Sequence, residues 1–333
     1  MRSKYSWLIL TLIIGLSIWW WISHTGYVIL NPLGDEQVVK KELPYEKYSF
    51  NNLAQRGEIP SKIEIEGSKF YYYSEGRRIS GQIQMSEGSR KAPVIVMARG
   101  YVEKEAYKTG IGTHNAAIAY AKNGYITLAP DFSGYGESDP EDENALGARL
   151  VKPVEILDLL ASLSSLPQAD LKTVYLWGHS NGGQIMLSVA EILGNREPSL
   201  PAQAGLRGQS SQVRGVTLWA PVTKPFPYNI LYYTDEASDS GKWLRGQISE
   251  FEKDYDVFNY SVDRYLDWIN IPLQIHQGSA DEAVPKKWSD DLVKVLREKD
   301  KEVNYYVYPG ADHNMRPTWD TVVARDLEFF AKN

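Results

Sequence analysis

Residues 178–182 (GHSNG) place Ser180 between glycines in the pattern G-x-S-x-G. The pentapeptide follows a strand-like apolar run at 174–177 and precedes a helix-like run at 184–193. Small residues allow a serine to occupy a sharp strand-to-helix turn, where its hydroxyl is exposed as a nucleophile. Because the same pentapeptide also occurs as an ordinary glycine turn, the rest of the chain must supply the other reactive groups.

A serine hydroxyl is a weak nucleophile at neutral pH and requires a nearby imidazole to take its proton. His313 is the expected base, since it lies in a loop directly after the strand-like run at 303–308. The alternative for His313 is an ordinary histidine in a surface loop. The other four histidines have weaker claims as the base: His24, His114, His179 and His276.

The imidazole in turn needs a carboxylate that orients it and stabilises its cation. Asp281 is the first acidic residue after the strand-like run at 273–277, and Glu282 and Asp312 are its rivals. A residue adjacent to His313 in the chain points elsewhere, which disfavours Asp312. The sequence therefore predicts Asp281 as the third catalytic residue, with a solvated loop carboxylate as the alternative for all three.

Four motifs together resemble the α/β-hydrolase superfamily, and within it the prolyl-oligopeptidase-like and dienelactone-hydrolase-like group. The resemblance covers roughly residues 61–333. It implies an α/β-hydrolase fold, a mostly parallel sheet with helices on both faces, and a triad in the chain order Ser, Asp, His. The motifs occur in this order: residues 129–138 (APDFSGYGES), 178–183 (GHSNGG), 277–285 (QGSADEAVP) and 309–313 (PGADH).

The resemblance also implies an oxyanion hole made of backbone N–H groups. One donor is expected from Asn181, the residue after the nucleophile, and the second from the loop at Gly100 and Tyr101. Tyr101 could donate through its backbone N–H or through its hydroxyl. Relatives usually have His-Gly in this loop, whereas this chain has Arg99 before the glycine. The alternative for Arg99 is a surface arginine that pairs with a nearby acid.

The composition argues against several other classes of protein. The formal net charge is −6, which does not favour a nucleic-acid-binding surface. Cysteine is absent, so the chain has neither a disulfide nor a thiol nucleophile. No H-E-x-x-H motif and no phosphate-binding glycine loop occurs, and we expect neither a metal nor a cofactor.

The N-terminal segment, residues 1–30, has the pattern of a transmembrane anchor. Residues 7–22 are nearly all apolar, and no Asp, Glu, Lys or Arg occurs between Lys4 and Asp35. Positive charges precede the span and negative charges follow it, which predicts a single-pass protein with a cytoplasmic N-terminus and an extracytoplasmic catalytic domain. A cleaved signal peptide is the alternative, although no small-x-small site lies near the end of the apolar run.

The remaining chain divides into a linker and docking segment at 31–60 and a catalytic domain at 61–333. Within that domain, about 222–270 is predicted to form a cap over the site. The cap is rich in aromatic residues, which either line an apolar pocket for the substrate or pack the cap onto the core.

Together these patterns predict a membrane-anchored, prolyl-oligopeptidase-like serine hydrolase. Its expected partners are a small-molecule ester or short peptide as substrate and the lipid bilayer at its N-terminus. One alternative is a carboxylesterase without peptidase activity. A second is a non-catalytic, membrane-tethered binding module on a hydrolase scaffold.

Overall fold

The structure is a computed structural model that describes residues 42–57, 59–86, 88, 91–196, 213–234 and 237–333. Tyr45–Asn333 form one compact unit. The predicted transmembrane anchor at 1–30 lies outside the described residues. Among the helices that are described, none combines the length and the apolar composition needed to cross a bilayer.

The described residues form one nine-stranded sheet with the order β1-β2-β3-β5-β4-β6-β7-β8-β9. The first three strands are antiparallel to their neighbours, and every pair from β5 to β9 is parallel. The strands are β1 Glu64–Glu66, β2 Lys69–Ser74, β3 Arg77–Gln84, β4 Ala92–Ala98, β5 Ile126–Pro130, β6 Ala169–His179, β7 Val213–Trp219, β8 Leu273–Gly278 and β9 Val303–Tyr308.

Nine α-helices accompany the sheet within the described ranges, and two or more pack on each face. Helices α2 and α9 share a buried apolar cluster with one face of β4, β6 and β7. Helices α4 and α5 contact each other and pack on the opposite face. The helices are α1 Phe50–Gln55, α2 His114–Lys122, α3 Ala145–Leu150, α4 Lys152–Ser162, α5 Asn181–Gly194, α6 Tyr228–Leu231, α7 Lys242–Phe251, α8 Lys286–Glu298 and α9 Trp319–Lys332.

The central strands are continuous apolar runs because both of their faces are covered. Residues 94–98 of β4 are fully buried, as expected for a parallel strand between two helical layers. The predicted mostly parallel sheet with helices on both faces is therefore confirmed.

Two predicted elements differ in detail from the structure. The single helix expected at 146–163 is divided at Val151 into α3 and α4, and Pro153 lies in the first turn of α4, where its missing N–H costs no helical hydrogen bond. The sequence also predicts a strand pair at 62–70 and 78–85, joined near Glu75 and Gly76. The turn lies at these two residues, which both have positive φ angles, but the first strand is divided into β1 and β2, and β2 pairs with β3.

The cap region between β7 and β8 packs against the N-terminal segment of the compact unit. It contains α6, α7 and three 3₁₀ helices. Phe50 of α1 stacks on Tyr265 with ring centroids 4.5 Å apart. Tyr45 lies 5.9 Å from Tyr255, centroid to centroid, and its backbone accepts a hydrogen bond from the hydroxyl of Tyr260.

A buried carboxylate joins α9 to the sheet. Asp326 is fully buried, and its two oxygens accept five hydrogen bonds. Burial alone raises the pKa of Asp326, but the interaction with His276 and the other hydrogen bonds outweigh it and hold the pKa below its usual value. The donors are Tyr120 Oη at 2.6 Å, Thr217 Oγ1 at 2.5 Å, Trp219 Nε1 at 2.8 Å, Gln274 Nε2 at 3.0 Å and His276 Nε2 at 2.9 Å.

Candidate active site

Ser180 lies between the end of β6 and the start of α5 with φ 57° and ψ −120°. A non-glycine residue rarely adopts a positive φ, and such strain is concentrated at functional sites. The turn is possible because its neighbours are small: a Cβ on Gly182 would clash with the carbonyl oxygen of Ala98, and one on Gly178 would clash with the backbone of Gly182. The packing thus requires the glycines of the G-x-S-x-G pattern.

His313 and Asp281 meet at the carboxyl edge of the sheet. His313 lies in the loop after β9, and its Nδ1 donates to Asp281 Oδ2 at 2.9 Å. Asp281 follows β8, and the backbone N–H groups of Ala283 and Val284 donate to its other oxygen. Burial alone raises the pKa of Asp281, but the hydrogen bonds from His313 and Val284 outweigh it and hold the pKa below its usual value.

The two rival carboxylates lie in different surroundings. Glu282 is exposed. Asp312 accepts hydrogen bonds from the backbone of Asn314 and pairs with Arg316 at 3.1 Å. Asp281 is therefore the carboxylate that the fold brings to His313.

His179, the variable residue of the elbow, supports the loop that carries His313. Its Nε2 donates to the carbonyl oxygen of His313 at 2.9 Å, and the two rings lie 4.6 Å apart. Burial and then the neighbouring His313 lower the pKa of His179 to about 4, so this ring is neutral at pH 7. No sequence pattern assigns a role to His179, because only the fold places the two loops side by side.

The other two described histidines, His114 and His276, have hydrogen-bond partners other than Ser180. His114 Nδ1 lies 3.1 Å from Gln82 Oε1. His276 is buried, as expected from its position within a strand, and bonds to Tyr308 and Asp326.

Ser180 follows β6 and His313 follows β9, and they are not hydrogen-bonded to each other. Among the hydrogen bonds of the described residues, none joins Ser180 Oγ to His313 Nε2. This bond is commonly long before a substrate is bound and shortens in the reactive complex. His179 links the two groups, since it precedes Ser180 in the chain and its ring lies against that of His313 at an interplanar angle of 38°.

The expected oxyanion donors lie next to Ser180. Asn181 is the first residue of α5, so its N–H has no acceptor within the helix. A Cβ built on Gly100 would lie 3.0 Å from Ser180 Cβ and 3.5 Å from Ser180 Oγ, which places the backbone of this loop against the nucleophile. Tyr101 is 59% exposed, and its hydroxyl interacts with Glu103, which leaves its backbone N–H as the donor on offer.

Arg99 is buried, and the alternative of a surface arginine paired with an acid is wrong. Only 4% of its surface is exposed. Its guanidinium donates to the carbonyl oxygens of Gly100 at 2.9 Å and Asp131 at 3.1 Å. It lies over the rings of Tyr107 and Tyr135, at 4.3 and 4.1 Å from their centroids. Arg99 therefore holds the loop that carries Gly100 in position.

A cavity of about 60 Å³, which we call the Asn181 cavity, opens beside the oxyanion donors. Phe226 and Tyr260 are the two cap aromatics that line it. Other cap aromatics are exposed, such as Tyr228 and Trp243, so the cap forms only part of the predicted wall. The cavity is also lined by Tyr48, Phe50, Leu53, Arg149, Leu150, Lys152, Pro153, Asn181, Gln184, Ile185, Ser188, Ile192, Asn229 and Ile230.

A second cavity of about 800 Å³ lies next to His179 and Asn314, the chain neighbours of Ser180 and His313. It is lined by His179, Trp177, Trp219 and Trp319, and it includes none of Ser180, Asp281 and His313. These three residues do not line the Asn181 cavity either, but Asn181, an expected oxyanion donor, lines only the Asn181 cavity, which makes it the better site for the part of a substrate next to the reacting carbonyl.

These residues provide the parts needed for acyl transfer: a strained serine, a histidine oriented by a buried carboxylate, and backbone donors near the serine. In the described part of the chain, no group of three or more His, Asp or Glu side chains is arranged to hold a metal ion.

Comparisons with known proteins are consistent with this arrangement. A family model described as the alpha/beta hydrolase family matches residues 109–329. A search of curated proteins gave no match. Each of the solved structures that we compare here is less than 20% identical to this chain, and such matches establish the fold alone.

Est1E from Butyrivibrio proteoclasticus, solved with ferulic acid bound, is 17% identical, with a TM-score of 0.55 over 79% of this chain and 98% of that chain. A puromycin-hydrolyzing peptidase from Mycobacterium tuberculosis is 16% identical, with a TM-score of 0.57 over 82% of this chain and 39% of that chain. The propionate-bound esterase Est2 from Thermogutta terrifontis is 15% identical, with a TM-score of 0.53 over 82% and 94% of the two chains.

Proposed function

Because the chain belongs to the alpha/beta hydrolase family, we propose that it is a serine hydrolase that cleaves an ester or peptide bond through an acyl-enzyme. The observation that carries the proposal is the hydrogen bond of 2.9 Å between His313 and the buried Asp281, at the sheet edge where Ser180 occupies a strained turn.

The proposed reaction has two steps. Ser180 Oγ attacks the carbonyl carbon of the substrate while His313 Nε2 takes the hydroxyl proton, and Asp281 stabilises the imidazolium. The N–H of Asn181 and the loop at Gly100 bind the oxyanion. His313 then protonates the leaving alcohol or amine, and an acyl ester of Ser180 remains. A water molecule deprotonated by His313 hydrolyses this ester and restores the serine.

Both ester and peptide substrates are consistent with the proposal. The motifs resemble those of prolyl-oligopeptidase-like enzymes, which supports activity on peptides. The structures with a similar fold include two esterases and a peptidase. The small volume of the Asn181 cavity favours a short acyl group in either class.

The test is hydrolysis of nitrophenyl esters and peptide anilides by the purified full-length chain. Ser180→Ala should lower kcat about 10⁴- to 10⁶-fold, and the wild type should be labelled by a fluorophosphonate at Ser180. The matched control is Ser164→Ala, which removes the hydroxyl of an exposed serine in the 3₁₀ turn after α4 and should leave turnover unchanged.

The substrates decide between the alternatives. Ester turnover without anilide turnover would indicate a carboxylesterase, and anilide cleavage would indicate a peptidase. Full turnover by Ser180→Ala would refute the nucleophile. Absence of both turnover and labelling would make a non-catalytic binding module the better explanation.

We also propose that residues 1–30 anchor the enzyme in a membrane, with the catalytic domain on the extracytoplasmic side. The proposal is supported by the apolar run at 7–22 and by the positive charges of Arg2 and Lys4 before it. The full chain should stay with membranes after a carbonate wash, and a chain without residues 1–30 should not. Release of the full chain by the wash would contradict the anchor.

A further inference from the structure

Among the described residues that line the Asn181 cavity, two are basic and none is acidic. The two basic residues are Arg149 at the end of α3 and Lys152 at the start of α4. The remaining lining is mainly apolar. A positive charge in such a setting is costly unless an anion compensates it.

Neither basic side chain has an anionic partner in the described part of the chain. Arg149 and Lys152 make no ion pair and no hydrogen bond there. The Lys152 ammonium lies 5.7 and 5.6 Å from the ring centroids of Phe132 and Tyr135. Glu155, one turn along α4, accepts instead from the backbone N–H of Ser133.

The electrostatic cost of this arrangement lowers the pKa of both groups. Burial and then the charges of Arg149 and Arg99 lower the pKa of Lys152 to about 8, although Glu155 and Glu141 act in the opposite direction. Glu141 is itself paired with Lys104. Burial also lowers the pKa of Arg149. An anion placed in the cavity would remove part of this cost.

A third polar side chain in the cavity also has no partner. Asn229 of α6 is only 4% exposed, and its Oδ1 has no hydrogen-bond partner. Rotation of the amide by 180° exchanges its oxygen and nitrogen, so this side chain can offer an N–H to an anion. Buried polar groups are normally paired, which makes an unpaired amide beside two unpaired cations a second indication of a ligand.

The position of the cavity shows which part of a substrate it would hold. The leaving group must lie near His313, which gives it a proton. The cavity does not include His313, and it includes Asn181, the oxyanion donor. It therefore lies on the side of the carbonyl away from the leaving group, where the acyl part is bound.

We propose that the Asn181 cavity is a subsite for an acyl group that carries a carboxylate, bound by Arg149 and Lys152. The preferred substrates are then half-esters or half-amides of short dicarboxylic acids. This inference rests on the proposed serine-hydrolase function and specifies its substrate class.

The test compares two esters of the same shape, using the full-length chain. Monoethyl glutarate carries the carboxylate, and ethyl 4-carbamoylbutanoate replaces it with a neutral amide; release of ethanol is measured for both. The variants are Lys152→Met and Arg149→Met, and Lys122→Met, at an exposed lysine in the last turn of α2, is the control.

We expect the wild type to prefer the anionic ester. Each cavity variant should lower kcat/KM for that ester about 10- to 100-fold, because a charged hydrogen bond is lost. Turnover of the neutral ester should change less than about twofold, and the control should leave both values unchanged. An equal loss of kcat/KM on both esters, or a wild type that does not prefer the anionic ester, would overturn the inference. The serine-hydrolase proposal would still stand in that case if turnover depended on Ser180.

Fluorophosphonate labelling separates the two proposals if neither ester is turned over. Glutarate should then slow the labelling of Ser180 in the wild type but not in Lys152→Met. Labelling that glutarate does not slow would overturn the subsite and leave the nucleophile established. Absence of labelling would overturn both proposals.

Discussion

Replacing Asp326 with asparagine keeps the shape of the side chain but removes its charge and one of its two acceptor oxygens. Three donors meet one carboxylate oxygen and two meet the other. Whichever way the new amide points, its NH₂ faces at least one group that can only donate. Trp219 Nε1 is such a group at one oxygen, and Gln274 Nε2 is one at the other. Breaking a buried charged network in this way lowers the free energy of unfolding by about 3–5 kcal/mol.

The stability that Asp326→Asn loses should depend on pH in a defined direction. The pKa of Asp326 is lower in the folded protein than in the unfolded chain, where it is about 3.9. Its stabilising contribution is therefore complete above that value and is lost as pH falls through the lower, folded pKa. The difference between wild type and Asp326→Asn should be full at pH 7 and should shrink below about pH 4.

Urea unfolding at several pH values measures this difference. The matched control is Asp320→Asn, an exposed position at the start of the same helix, which should cost less than about 1 kcal/mol. A loss below about 1 kcal/mol for Asp326→Asn at pH 7, or a loss that stays constant into acid, would refute the reasoning.

Three further variants test other features. Ser180→Gly should abolish hydrolysis yet raise stability by about 1 kcal/mol, because glycine adopts the positive φ without strain; a lower Tm would contradict this. Gly182→Ala should lower the free energy of unfolding by more than about 3 kcal/mol, because the new methyl group clashes with the Ala98 carbonyl. A Tm within about 2 °C of wild type would contradict this and show that the turn can relax. Lys152→Met should raise stability by about 1–3 kcal/mol below pH 8, because the unfolded chain holds this proton up to pH 10.5 and the folded chain only to about 8. The gain should fade between these pH values, and unfolding curves at pH 7 and 10 check it.

Much of the geometry of the candidate active site could be predicted from the sequence, because each group follows a strand directly. A short loop after a parallel strand can place its side chain only at the carboxyl edge of the sheet. The order of Ser180, Asp281 and His313 along the chain therefore sufficed to predict that the latter two meet. Asp281 could be preferred over Asp312 because neighbouring residues in a chain do not face each other.

Other features depend on segments that are distant in the sequence. The environment of Arg99 is created by Tyr107 and Tyr135 from two separate loops. Tyr135 belongs to the motif at 129–138, but nothing in that motif links it to Arg99, and Tyr107 belongs to no motif. The Asn181 cavity combines residues from α1, α5 and α6. No local pattern records such contacts, so the burial of Arg99 and the charge of the cavity became apparent only in the fold.

The packing of the N-terminal segment against the cap has a consequence for synthesis. The hydroxyl of Tyr260 bonds to the backbone of Tyr45 across 215 residues. A ribosome adds about 5–20 residues per second, so Tyr45 leaves it roughly 10–40 s before Tyr260 exists. During that time the cap residues that pack against Phe50 and Leu53 have not yet been made. We therefore expect the Asn181 cavity to lack its cap wall until synthesis has passed Tyr260.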